Sequence, residues 1–420
     1  MSIQSEINRI AGARDDAFDA IEDKGVTVPQ GSTIDDMADL IAQISGGGGS
    51  AYAVISVTYP SGSTCTCTKG STVLTAEGTS GLYNFLVPEA GSWTVSCTNG
   101  TDSDSKTASI TAQYENVDVE LVYIPAVVNN ATWTQISEVS IAGTGDTYWD
   151  VGDCKAVTLN GKIGSYLTLS NTTLYVFILD FNHPINKTTA DNNIIWGGFK
   201  TALTGGKDVS LCDSGYGNNY TSGKYFNINH VGSSSSPYST NYGGWRGCDF
   251  RYDILGGTST KPSPYNTTKT TSTTGSNATQ ATINTPVANT LMAALPSDLR
   301  AALRLWNRYV DYKGNSSNAD ANCSTATVDA LSLLAEFEIY GSRKYSNLYE
   351  QNHQKQMAYY TAGNSKIKYK HNATGTASIW WESSPDSTTA SYFCYVNYNG
   401  NAEQDFGSRT SVGLAPAFRT

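Results

Sequence analysis

The densest run of side chains capable of chemistry lies near residue 400. Tyr392, Tyr395 and Tyr398 alternate there with Asn397, Asn399 and Asn401, and Glu403 and Asp405 follow. Tyrosine supplies large, stiff, amphipathic contact area and asparagine supplies adaptable hydrogen bonding, the mixture found in antibody-type paratopes. Tyrosine faces also stack on sugar rings. The chemistry these residues fit is recognition of a polar surface, so all of them are candidate ligand-binding residues. Glu403 and Asp405 also form an acidic pair of the kind a glycosidase employs. In an exposed loop such a pair is more often simply solvated.

Other reactive constellations are missing from the sequence. The four histidines, His183, His230, His353 and His371, have no HxH or HExxH spacing, so neither a zinc nor an iron site is expected. There is no GxSxG elbow, no GKS/T phosphate loop and no GxGxxG turn. The expectation is a protein that is not an enzyme, with no catalytic residue, metal or cofactor. The eight cysteines (among them Cys65, Cys67, Cys97, Cys323 and Cys394) form no CxxC pair. They are expected to be reduced, buried thiols of a chain made in a reducing cytoplasm, with Cys97 able to pair with Cys65 or Cys67 only on meeting an oxidant. The run Gly243-Gly244-Trp245-Arg246-Gly247-Cys248 reads as a tight turn that sends Trp245 into the core.

Composition limits the partners. Charged residues are 15% of the 420 residues, against a usual share of about 25%, and Ser, Thr, Asn and Gly take their place. The net charge of −10 offers no basic stripe for phosphates, which argues against nucleic acid. No run approaches the ~18 apolar residues of a membrane span. The 26 tyrosines and 39 glycines, with many Thr and Val, favour short strands joined by turns.

Four segments position these residues. Residues 1–45 read as two short helices, with Ile3, Ile7, Ile10 and Ile21 on one seam and Ile34, Met37, Ile41 and Ile44 continuing it. Thr33 offers the N-cap of the second helix. So small a unit cannot bury its stripe alone, which points to self-association, with a trimer favoured, or to docking on another protein. Gly46-Gly47-Gly48-Gly49-Ser50 is a flexible linker at 46–50. Residues 51–125 carry short strand-like runs at 53–57, 83–87, 93–97, 108–110 and 117–121, the periodicity of an immunoglobulin-like sandwich. Residues 126–420 form the largest piece, with a polar insertion near 256–290. After it, Leu299, Leu303, Trp306 and Val310 predict one helix over 297–310.

Three resemblances to known families stand out. Gly81-Leu82-Tyr83-Asn84-Phe85-Leu86-Val87-Pro88, followed by Gly91-Ser92-Trp93-Thr94-Val95, resembles carboxypeptidase-regulatory-like modules, which serve mostly as spacers. Trp380-Trp381-Glu382-Ser383-Ser384-Pro385, the Tyr392–Gly400 stretch and Gly413-Leu414-Ala415-Pro416-Ala417-Phe418 are similar to a family of prophage tail and bacterial surface proteins. The block from Val328 to Ile339 resembles the same family, so the likeness covers roughly residues 130–420. Ser383 stands where that family commonly has Arg, and Leu414-Ala415 where it has Val-Arg. The resemblance implies a C-type-lectin-like α+β fold that displays exposed side chains on a rigid scaffold. Cys394 lies where formylglycine-generating enzymes of similar fold use cysteines, but with no cysteine partner nearby it reads as a buried thiol. Finally, the phrase from Ile21 to Thr33 resembles a helix-turn-helix at the front of tailed-phage structural proteins.

Together these readings predict a multidomain, mainly β protein: an N-terminal helical hairpin, an immunoglobulin-like β-sandwich and a C-terminal α+β C-type-lectin-like domain. The expected role is that of a phage virion structural protein, a fibre or adhesin that binds a host cell-surface glycan or protein and contacts other virion proteins through its helices. It would be assembled in the bacterial host cytoplasm. The alternatives are a capsid decoration or head-fibre protein without a receptor, and a polysaccharide depolymerase.

Overall fold

The computed structural model describes residues 3–24, 26–41, 52–76, 80–100, 102–164, 167–212, 241, 243–260, 276–314, 326–406 and 412–420. Ile44, the 46–50 linker, His230 and Cys323 lie outside the described residues. The chain is mainly β and divides into two units, Met1–Ile124 and Pro125–Thr420.

In the first unit, helix α1 (Ile3–Glu22) is followed by a 3₁₀ turn at Ile34–Asp36 and by α2 (Met37–Ile41). The Thr33 N–H donates to Asp36 Oδ2 at 2.7 Å, which fixes the start of the second stretch. The helices meet through Ile21, Val26 and Leu40, with Phe18, Val28 and Met37 packed alongside. Four other seam residues stay open: Ile7 and Ile10 are 52% and 48% exposed, and Ile34 and Ile41 are 55% and 52%. A five-residue α2 covers only the last turns of a twenty-residue α1.

Seven strands follow: β1 (Ala53–Thr58), β2 (Thr64–Lys69), β3 (Thr72–Thr75), β4 (Leu82–Val87), β5 (Gly91–Asn99), β6 (Asp102–Ile110) and β7 (Asn116–Glu120). They form two sheets, ordered β4-β1-β7 and β3-β2-β5-β6. Alternate residues such as Ile55, Val57, Phe85, Trp93 and Val95 point into one shared core. Strand β2 carries no sequence signal because Thr and Cys, rather than large apolar residues, fill its length, and β3, Thr-Val-Leu-Thr, is only four residues long. Strand pairing sets Cys65 directly opposite Cys97, Cα to Cα 4.1 Å, and a disulfide joins them. This corrects the expectation of fully reduced cysteines: register, invisible in the spacing of cysteines, brought the two together. Cys67, Cys154, Cys248 and Cys394 are buried free thiols, and Cys212 is buried as well.

The second unit opens with α3 (Trp133–Ala142), β8 (Cys154–Ile163), β9 (Leu167–Phe181), β10 (Ile194–Lys200) and β11 (Asp208–Ser210). Three short helices come next: α4 (Gln280–Asn284), α5 (Leu291–Ala294) and α6 (Ser297–Ala302). Then β12 (Trp306–Arg308), β13 (Thr327–Asp329) and β14 (Ser332–Leu333) lead into α7 (Glu336–Tyr340), α8 (Leu348–His353) and α9 (Ala358–Thr361). The last strands are β15 (Lys368–Lys370), β16 (Ala373–Ser378), β17 (Trp380–Pro385), β18 (Tyr392–Val396), β19 (Ala402–Phe406) and β20 (Pro416–Arg419). The main sheet runs β14-β20-β10-β11-β15-β16, with β9 also on β10 and β8 on β9, while β17-β18-β19 form a separate antiparallel sheet. Strand β10 is buried on both faces, and a Cβ at Gly197 would meet Leu179 Cδ1 at 2.2 Å, so any larger residue there would have to displace the Leu179 side chain.

Two expectations for this unit need correction. The helix predicted over 297–310 stops at Ala302, and Trp306–Arg308 is a strand paired with Thr327–Asp329. Tertiary pairing overrides an apolar spacing that suits a helix equally well. The polar tract near 256–290 is not all exposed loop, because Gly256, Gly257 and Thr258 are buried and Ala278, Thr282 and Ile283 sit in the core. Residues 261–275 of it lie outside the described residues.

Buried carboxylates tie this unit together. Asp329, fully buried, accepts from Trp245 Nε1 at 2.8 Å, from Ser332 Oγ at 3.0 Å and from Arg251 Nε. Arg251 also donates to the carbonyls of Ser276 and Val328, both at 2.7 Å. Glu338 accepts the Ala335 N–H at 2.8 Å and pairs with Arg308, whose cationic head lies 4.4 Å from the Trp306 ring centroid. Trp245 is fully buried, as its turn sequence predicts.

Candidate functional site

The site begins with Glu336, a fully buried acid at the first position of α7. Its carboxylate accepts the backbone N–H groups of Lys344 (3.0 Å), Tyr345 (3.1 Å) and Ser346 (2.8 Å), so the 341–346 loop wraps around one side chain. Gly341 ends α7 at φ +65°, where a Cβ would meet Gln356 Oε1 at 2.5 Å. The loop therefore leaves the helix at a fixed angle, carrying Ser342 and Lys344.

Opposite stands the β18–β19 turn. Asn397 Oδ1 accepts the N–H groups of Asn399 (2.9 Å) and Asn401 (3.0 Å), and Gly400 closes the turn at φ +80°. Tyr340 Oη donates to the Gly400 carbonyl at 3.1 Å and links the turn to α7. Between the two walls lies a cleft of about 360 Å³. Glu336 and Tyr340 line its floor, Ser342 and Lys344 one side, and Asn397, Asn401 and Glu403 the other.

Lys344, Tyr345 and Glu403 form a row at the rim. Tyr345 Oη donates to Glu403 Oε1 at 3.3 Å, and Lys344 Nζ lies 4.6 Å from the Tyr345 ring centroid and 3.3 Å from the Ala402 carbonyl. Hydrogen bonding to Tyr345, aided by Glu403 and Glu336, holds the Lys344 ammonium above its ordinary range.

Of the residues singled out from sequence, Asn397, Asn401 and Glu403 line the cleft, while Tyr398 (54% exposed) and Asn399 stand free at the turn. Tyr395 does not belong with them: it is 8% exposed and packs edge-to-face on Trp381, with ring centroids 6.1 Å apart. Tyr392 is half-buried, its carbonyl accepting from Asn241 Nδ2 at 2.8 Å, and Asp405 pairs across the sheet with Phe393. The sequence reading missed Glu336, Tyr340, Ser342 and Lys344. The available signal was an acid inside the apolar run Leu333-Leu334-Ala335-Glu336-Phe337, since buried charges need partners. Cys394 is fully buried, and burial with Glu336 and Glu382 nearby pushes its thiol far above the ordinary range. Among the described residues, no three His, Cys, Asp or Glu side chains converge as metal ligands.

Residues 267–419, which include every cleft residue, match the model of a family described as a domain of unknown function, DUF6273. No curated protein and no solved structure matches the chain. No described helix is long and apolar enough to cross a membrane.

Two further acids lie near Glu336. Glu350 accepts from the Asp311 N–H (3.0 Å) and from Ser384 Oγ (2.5 Å), and burial pushes it up to about 8. Glu382 is fully buried with no hydrogen-bond partner for either carboxyl oxygen among the described residues, and burial with Glu336 and Glu350 nearby raises it well above the usual range. Between the ordinary carboxyl value of 4.5 and about 8, the folded chain keeps protons that the unfolded chain has released. Stability is therefore expected to fall as pH rises through that window, by up to about 1.4 kcal/mol per pH unit for each such group. Urea midpoints measured from about pH 5 to pH 8 should decline, and Glu382→Gln, which cannot ionise, should flatten the decline. Midpoints that climb steadily towards pH 8 would contradict this.

Proposed function

We propose that the chain is a structural protein of a tailed-phage virion, a fibre or receptor-binding adhesin whose cleft beside the Asn397–Asn401 turn engages a host surface glycan or protein. In this reading the Ala53–Glu120 sandwich is an immunoglobulin-like spacer and the second unit a C-type-lectin-like head. The observation that carries the proposal is the division of labour at the cleft. Backbone groups, Glu336, Tyr340 and Asn397 Oδ1 hold the walls, while Tyr398, Asn399 and Asn401 remain exposed. Such side chains can be exchanged for contact chemistry at little cost to the fold.

Tyr398→Ala is expected to leave the urea midpoint within about 0.5 kcal/mol of the parent. It should nonetheless weaken adsorption of purified protein to host cells by about 2 kcal/mol, roughly 30-fold, as loss of a central aromatic anchor does. Equal adsorption of the two proteins would leave a decoration or head-fibre subunit as the better reading. Turnover of envelope polysaccharide that a Glu403→Gln variant loses would favour a depolymerase.

The exposed Ile7 and Ile10 of α1 support anchoring by self-association. Ile3, Ile7, Ile10 and Ile21 follow a heptad spacing, and isoleucine at both seam positions favours assemblies of three or more helices. Light scattering should find the full chain oligomeric, with a trimer expected, and a chain beginning at Ala51 monomeric. A monomeric full chain would remove the self-association version. The Cys65–Cys97 bridge is in keeping with service outside the cell, where disulfides persist.

A further inference from the structure

We infer that the cleft takes an uncharged or amino-bearing sugar residue and discriminates against acidic and phosphorylated sugars. The inference rests on reading the cleft as the binding site. At about 360 Å³ it lies at the small end of the ~300–1,000 Å³ range of ligand pockets. That size suits a terminal saccharide rather than a folded protein surface.

The chemistry of its rim points the same way. Lys344 and Glu403 set a cation and a carboxylate in the lining, the Tyr345 phenol lies beside both just outside it, and Ser342, Asn397 and Asn401 add further polar groups. A sugar carries adjacent hydroxyls that each donate and accept, and the lining offers a donor in Lys344, a hydroxyl that does both in Ser342, and an acceptor in Glu403. The frame is already fixed, because the Glu336 carboxylate is occupied by three backbone N–H groups and Tyr340 is held to Gly400. Little ordering is left for the ligand to impose. The charge balance selects among sugars. Among the described lining residues one cation, Lys344, faces two acids, Glu336 and Glu403, in a chain of net charge −10. A carboxylate or phosphate on the ligand would meet like charge, whereas a protonated amine would find Glu403.

The test is calorimetric titration of the full chain with galactose, N-acetylglucosamine and glucosamine, against glucuronate, N-acetylneuraminate and glucose 6-phosphate. Saturable binding of at least one member of the first set is expected, with every member of the second at least tenfold weaker. Asn401→Ala should weaken the bound sugar at least fivefold at an unchanged urea midpoint, and Glu403→Gln should narrow the bias against glucuronate. An acidic sugar that binds as tightly as the neutral ones, or binding indifferent to both substitutions, overturns the inference. If no sugar binds while host adsorption still depends on Tyr398, the ligand class is wrong and the adhesive reading stands. Loss of both overturns both.

Discussion

Asp329→Ala is expected to be among the most damaging single substitutions in the second unit, costing about 3–5 kcal/mol, the usual penalty for breaking a buried ion pair from one side. The carboxylate sits at full burial among Arg251, Trp245 and Ser332, and its removal leaves the Arg251 guanidinium without its counter-charge. Arg251 in turn holds Ser276 and Val328, so the loss spreads from strand β13 to the chain entering α4. Urea denaturation followed by tryptophan fluorescence measures the cost. A paired Arg251→Met, Asp329→Leu replacement should recover part of it, because no orphaned charge then remains. A cost below about 1 kcal/mol for the single substitution would show that the network contributes little.

Trp380→Ala should cost about 3–5 kcal/mol, the range for large aromatic truncations in a core. The ring is 1% exposed, shares a core with Phe177, Ile195, Trp306 and Ala417, and donates from Nε1 to the Lys366 carbonyl at 3.0 Å. It also lies 4.9 Å from the ammonium of Lys368, which is buried and whose amine burial drives below its ordinary range. Truncation removes that aromatic face along with the packing, so a value at the upper end is expected. Trp380→Phe keeps most of both and should cost distinctly less. A midpoint for Trp380→Ala close to that of the parent would refute this account of the core.

What the sequence disclosed follows from how local each feature is. The runs at 53–57, 83–87, 93–97, 108–110 and 117–121 all became strands, since alternation is written residue by residue. Registers are not. Nothing in the spacing of Cys65 and Cys97 says that β2 and β5 will set them face to face. The Leu299, Leu303, Trp306 and Val310 spacing suited a helix, yet Arg308 lies in a strand from which it reaches Ser332 and Glu338, and those partners lie more than twenty residues away. At the cleft, Asn397 and Asn401 were legible because turn residues advertise themselves, while Glu403, on strand β19, stood out only as one of an acidic pair. Tyr395 misled because Phe393 through Val396 are all buried, leaving no alternation to separate an inward tyrosine from an outward one. Glu336 stayed hidden since its three amide donors come from residues eight to ten positions later, in a loop with no signature of its own.

Strand β20 has a consequence for how the protein is made. It lies between β10 and β14 in the main sheet, and Trp196 is hydrogen-bonded to Thr420 across 224 residues of sequence. At translation rates of about 5–20 residues per second, β10 waits roughly 10–45 s on the ribosome before its neighbour emerges. During that interval the Ile195–Gly197 part of an apolar strand's edge, beyond its pairing with β11, is left unpaired and open to any passing chain. The sandwich of the first unit, whose strands all lie within residues 53–120, faces no such delay. Nascent chains should therefore carry a finished first unit ahead of an open second one. Yield in a host depleted of holdase chaperones should fall for the full chain while a separately expressed 51–124 segment is spared.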